Sequence, residues 1–191
     1  MKSRSIALLG LVGLAAVPAI AQRSKAAAET QPSYVEVTRS ATLRATIATD
    51  PASVFDYLVD SNKLETWFPD QAVSEAQLGG RYHFRWNDSD GVWSGRYTNF
   101  IRGNTLAYTW QAPGDEYETS VLIKLIPQAG GTLVELTHSG FTSNAALDKA
   151  IKAWVFYLDN LRSVIEDNVD LRAQQRQKQR ARPSRSTKRS H

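Results

Sequence analysis

Near its C-terminal end the chain carries one apolar stripe that dictates much of what it can fold into. Leu147, Ile151, Trp154, Leu158, Leu161 and Ile165 recur at intervals of four, three, four, three and four residues. That spacing marks a single helix face about five turns long. Lys149, Lys152, Asp159, Arg162 and Glu166 fall off the stripe and belong in water. A helix divided in this way must lay its stripe on a second apolar layer.

The preceding residues supply that layer as strands. Ala41, Leu43, Ala45 and Ile47 alternate with Thr42, Arg44 and Thr46, the mark of a strand with one wet face. Asp50-Pro51 then reads as an N-cap followed by proline at the first helical position, with Val54, Phe55, Leu58 and Val59 at helical spacing. A second short helix holds Leu64 and Trp67, and Pro69 ends it. After Gly79-Gly80, Tyr82, Phe84 and Trp86 alternate with Arg81, His83 and Arg85. Asn87 to Gly91 forms a hairpin loop, and 92–101 is the next strand. That strand allows two phases: Trp93, Gly95 and Tyr97 inward, or Val92, Ser94 and Phe100. Further strands carry Leu106, Tyr108 and Trp110, then Val121, Ile123 and Leu125, then Val134, Leu136 and His138. The expected order is one strand, two helices, five hairpin-linked strands and the long helix. The fold class is α+β, with an antiparallel sheet covered on one face by helices.

Both ends differ from this body. Residues 1–21 read as a signal peptide: Lys2 and Arg4, an apolar run from Ile6 to Ile20, and a small-x-small site ending at Ala21. The run is short for a spanning helix, which needs roughly 20 residues. Export to the periplasm or the medium follows as an expectation, with residues 22–38 a flexible linker and 39–170 the domain. After Asp170 the chain has eight basic residues and no acid. Setting these and Lys2 and Arg4 aside leaves 13 basic residues against 19 acids in 22–171, a net of −6. The body is therefore mildly acidic and carries no charge signal for nucleic acid. Residues 171–191 are expected to form a basic tail, disordered or a frayed extension of the last helix, either solubilising or attracted to an anionic membrane surface or other polyanion.

Several chemistries are excluded or unsupported. The chain has no cysteine, so disulfides and thiolate catalysis are absent. His83, His138 and His191 have no spacing that suits a metal site, and no cofactor is expected. Asp88 and Asp90 sit in a turn without the later glutamate of a calcium loop. No nucleophile elbow or phosphate loop occurs. His138 is the one plausible acid–base group, and it needs a partner that the sequence does not place.

Motifs across about residues 40–168 resemble a known group. Asp50-Pro51, Leu64-x-x-Trp67-Phe68, Gly79-Gly80-x-Tyr82-x-Phe84, Leu106-x-Tyr108-x-Trp110 and Gly131-Thr132-x-Val134-x-Leu136-x-His138-Ser139-Gly140-Phe141 occur in that order. They are similar to the Hsp90-ATPase-activator-homologue (AHSA1-like) branch of the START-like, or SRPBCC, superfamily. Ala153-Trp154 stands where that branch usually has Gly-Trp. The resemblance implies a helix-grip (START-like, Bet v 1-like) fold, a curved antiparallel sheet wrapped around the long C-terminal helix. It also implies an apolar cavity between sheet and helix that takes a hydrophobic small molecule or lipid. The branch's chaperone role fits poorly with an exported chain.

The candidate ligand-binding set is Trp67, Phe68, Tyr82, Phe84, Trp86, Tyr108, Trp110, His138, Trp154 and Leu158. Tyrosine and tryptophan bury large area while keeping a polar handle. The same side chains could instead fill the interior as solid core. Non-catalytic binding is the leading expectation. A cyclase- or hydrolase-type enzyme using His138, and a protein-interaction module, are the alternatives.

Overall fold

The computed structural model describes residues 39–180, with side chains described to Lys178. The elements are β1 (Arg39–Ile47), α1 (Pro51–Val59), α2 (Ser61–Trp67), β2 (Gln71–Ser74), β3 (Arg81–Arg85), β4 (Trp93–Ile101), β5 (Thr105–Trp110), β6 (Thr119–Gln128), β7 (Gly131–Phe141), α3 (Asn144–Asp167) and α4 (Leu171–Arg180). The strands form one antiparallel sheet in the order β1-β7-β6-β5-β4-β3-β2. The expected helix-grip arrangement is present: the curved sheet packs its apolar face on α1, α2 and α3 around one core. From α3 the core takes Trp154, Leu158, Leu161 and Val164.

Local chemistry sets the helix starts. Asp50 accepts from the backbone N–H groups of Ala52 and Ser53, and Pro51 needs no N–H partner at that position. Asp60 caps α2 through the Lys63 N–H, and Ser143 caps α3 through the Ala146 N–H. Asn168, in the left-handed region at φ 55°, ends α3.

Three features depart from the sequence expectation. The sheet has an extra edge strand, β2, whose four residues bury only Ala72. In β4 a bulge between Tyr97 and Asn99 changes the side-chain phase. Tyr97 points inward before it and Phe100 after it, so neither single phase describes the strand. Finally, 171–180 is a separate helix, α4, set off from α3 by the break at Asn168, rather than a disordered tail or a frayed extension of α3. Its anchor is Arg172, which is 7% exposed and packs into the body. The expected signal peptide, the linker before Arg39 and the tail after Arg180 lie outside the described residues.

Candidate functional site

The interior is dominated by rings. Phe68 sits at the end of α2, the C-cap position ahead of Pro69, and is the hub. It stacks on Trp67 and Trp154, with centroids 5.0 and 5.3 Å away. It meets Phe84, Trp86 and Tyr157 edge-on at 5.6, 5.3 and 4.8 Å. Tyr82 stacks on Phe84 at 4.4 Å and lies edge-on to Tyr108 at 5.5 Å. Gly95 makes room for Tyr82: a Cβ there would collide with the Tyr82 hydroxyl and the Thr109 carbonyl, which are hydrogen bonded to each other. Burial pushes the Tyr82 and Tyr108 hydroxyls far above the usual phenol range and Tyr97 up to about 12.

These rings leave little space. The internal cavity is about 10 Å³, lined by Trp67, Phe68, Tyr82, Phe84 and Tyr108 from the candidate set, with Leu58, Leu64, Tyr97 and Ile123. That is room for about one water. The deep cavity implied by the resemblance is therefore closed, because the aromatic side chains occupy it.

Trp110, His138, Trp154 and Leu158 line neither that cavity nor the surface cleft described below. His138 is 3% exposed and held from both sides. Trp154 donates its indole N–H to Nδ1 at 2.9 Å. Nε2 lies 2.7 Å from the Thr119 hydroxyl, whose oxygen is 3.1 Å from the Trp110 carbonyl. An indole N–H can only donate, so Nδ1 accepts and the proton sits on Nε2. Burial lowers the His138 pKa from 6.5 to about 4. The lone pair that a general base would use is already engaged. Gly140, at φ +95°, places the bulge that turns Phe141 inward, 4.5 Å from the His138 ring.

The larger opening lies outside this core, between α3, α4 and the turn after β3. Its volume is about 320 Å³. Trp86, Phe156 and Tyr157 supply its apolar wall, and Asp70, Asp88, Lys152, Arg172, Gln175 and Arg176 its polar one. Trp86 donates its indole N–H to the Phe68 carbonyl at 3.1 Å, which ties the cleft wall to the hub. Burial raises the Tyr157 hydroxyl to about 12, so it stays protonated as a donor.

Arg172 builds the cleft floor. Its guanidinium donates to the carbonyls of Glu65, Phe68 and Pro69 at 2.7, 3.1 and 2.7 Å and to the Asp170 carboxylate at 3.0 Å. Burial pushes Asp170 up, but the hydrogen bonds from Arg172 outweigh it and hold the carboxyl below its ordinary value. Asn160, fully buried on α3, completes the clasp. It donates to the Trp67 carbonyl at 2.6 Å and accepts from the Leu171 N–H at 2.7 Å.

Sequence reasoning placed Trp86 in the site but missed the rest of the cleft. Tyr157 carried a usable signal, three residues after Trp154 on one helix face. Arg172 carried none, because composition assigned it to a tail. Among the described residues no group of three or more His, Asp or Glu side chains could hold a metal.

The family model of the activator of Hsp90 ATPase homolog 1-like proteins (AHSA1) matches residues 48–166, more than half of the chain. The chain belongs to this family. Among solved structures, an AHSA1-like protein from Rhizobium etli is 29% identical, with a TM-score of 0.56 over 69% of this chain and 84% of that one. Protein MLL2253 from Mesorhizobium loti is 24% identical, with a TM-score of 0.62 over 70% of this chain and 100% of that one. The Aha1 dimer from Colwellia psychrerythraea is 21% identical, with a TM-score of 0.59 over 68% and 97%. The last two likenesses show the fold. Among curated proteins none matches the chain. The AHSA1 match ends at residue 166, so α4 and the Arg172 clasp lie beyond it.

Proposed function

We propose that this AHSA1-family domain is exported and binds a hydrophobic small molecule where the sheet meets the helices, without catalysing a reaction on it. One observation carries the reading: the aromatic rings form an unbroken path from a surface cleft to the interior. Trp86 and Tyr157 stand in the cleft wall, Phe68 touches both, and Phe84 and Tyr82 follow behind it. The cleft volume of about 320 Å³ falls at the lower end of the range of small-molecule sites, roughly 300–1,000 Å³. The interior is closed, so a ligand reaching past the cleft must displace the Phe68 ring. The engagement of both His138 nitrogens supports binding over acid–base catalysis.

Incubation of the purified domain with an organic extract of lipids and other apolar metabolites, followed by native mass spectrometry, tests the reading. A one-to-one adduct that weakens when Trp86 is replaced by alanine is expected. Recovery of ligand-free protein alone would overturn it. Export is tested separately by sequencing the N-terminus of the mature protein, expected to begin at Gln22.

A further inference from the structure

We infer that the cleft between α3, α4 and the turn after β3 takes an anionic amphiphile, an apolar body bearing one carboxylate, phosphate or sulfonate head. This rests on the ligand-binding reading above and adds the charge of the ligand and the part of the chain that reads it.

The argument is an account of which charges in the cleft are already matched. Arg172 is largely engaged, with four of its N–H groups on three carbonyls and on Asp170. Asp70 is also matched: it accepts from the Asn87 N–H at 2.8 Å and lies 3.5 Å from Arg176 and 3.9 Å from Arg172. Two cations remain. Lys152 has no ion-pair partner among the described residues, and Arg176 makes only the one long contact with Asp70. A guanidinium has five N–H donors, so most of those on Arg176 are open to an anion. The remaining acid is Asp88, an exposed turn residue with no ion-pair partner among the described residues.

The protonated Tyr157 hydroxyl adds a neutral donor beside the apolar wall of Trp86 and Phe156. An anionic head thus meets an excess of donors, and an apolar body meets rings. A cationic head would find one unpaired carboxylate, Asp88, because Asp70 is already held by Arg176 and the Asn87 N–H. Arg176 lies on α4, beyond the family match, so the C-terminal segment supplies part of the selectivity and Lys152 of α3 the rest.

Two dyes that differ by one group separate the possibilities. 8-Anilinonaphthalene-1-sulfonate carries a sulfonate, and N-phenyl-1-naphthylamine is the same ring system without it. Fluorescence titration of the full mature protein, with calorimetry for stoichiometry, is expected to show one site that prefers the sulfonate by roughly tenfold. Raised salt should erode that preference. Lys152→Gln and Arg176→Gln, both on exposed side chains, should remove it, and Asp88→Asn should increase it. Equal affinity for the two dyes would overturn the anionic assignment while leaving ligand binding intact. Binding of neither dye would overturn both. Displacement of the sulfonated dye by decanoate is expected, and displacement by phosphatidylglycerol vesicles instead would assign the anion to a bilayer and overturn the free-molecule reading.

Discussion

The indole N–H of Trp154 points at Nδ1 of His138 across 2.9 Å, joining the middle of α3 to the inner face of β7. The contact exists only while His138 is neutral, because a protonated imidazole has donors at both nitrogens. A proton added to Nδ1 would set two donors against each other in a dry site.

Stability should therefore depend on pH through this residue. Its pKa falls from 6.5 to about 4 on folding. Between those values the unfolded chain binds the proton and the folded chain does not, so stability rises with pH. The contribution is fully present above 6.5 and lost as pH falls toward 4. Its ceiling is about 3 kcal/mol, from the difference in pKa. Urea unfolding at several pH values should show this slope, and His138→Asn should flatten it. An unchanged slope in the variant would assign the pH dependence to carboxylates.

Arg172 should matter more than a tail residue has any reason to. Arg172→Met removes the donors to three backbone carbonyls and takes the ion-pair partner from Asp170, which keeps the Asn160 amide and the residue 172 N–H. A loss of about 2–4 kcal/mol is expected. Arg172→Lys should recover little, since one ammonium cannot span the carbonyls of Glu65 and Pro69 in the geometry of a planar fork. Hydrogen exchange in α4 should quicken to the rate of unstructured chain in both variants. Protection equal to that of the parent would mean that α4 docks by other contacts.

Gly140 offers a backbone test. At φ +95° it occupies a region closed to residues with a side chain, and it sets the bulge that brings Phe141 beside His138. Gly140→Ala should cost about 1–2 kcal/mol. Chemical denaturation reads the cost. A neutral outcome would mean that β7 slips its register to relieve the strain.

The fold was legible because each face repeats its signal. Leu147 to Ile165 on α3, and Tyr82 with Phe84 on β3, show the two periods with little interruption. What escaped were single residues whose role is set by a distant partner. Asn160 reads as a polar residue near an apolar stripe, yet it is buried because the Trp67 carbonyl and the Leu171 N–H both need a partner there. β2 was missed because a four-residue edge strand buries only Ala72. Arg172 sits in a run whose composition is that of a solvated tail, and only the three-dimensional path of 65–70 gives it a socket. The candidate site was half legible for the same reason. The rings Phe68, Trp86 and Tyr82 announce themselves, whereas the choice between a filled and an open interior depends on how they pack.

Phe68 decides that choice, and replacing it separates a gate from a ligand contact. Its ring lies between the cleft residues Trp86 and Tyr157 and the inner rings Phe84 and Trp154. Phe68→Ala leaves its backbone carbonyl in place for Arg172 and Trp86 but empties the volume of the ring. Stability should fall by about 3–5 kcal/mol, the usual cost of such a cavity. If the ring is a barrier, the space it vacates joins the cleft to the interior, and an uncharged dye such as N-phenyl-1-naphthylamine should bind more tightly despite the lower stability. If the ring is part of the ligand's own surface, affinity should fall. Phe68→Leu, which keeps more of the volume, should lie between the parent and the alanine variant in both measurements. Fluorescence titration beside urea unfolding distinguishes the two cases, and tighter binding by the weaker protein is the expected result.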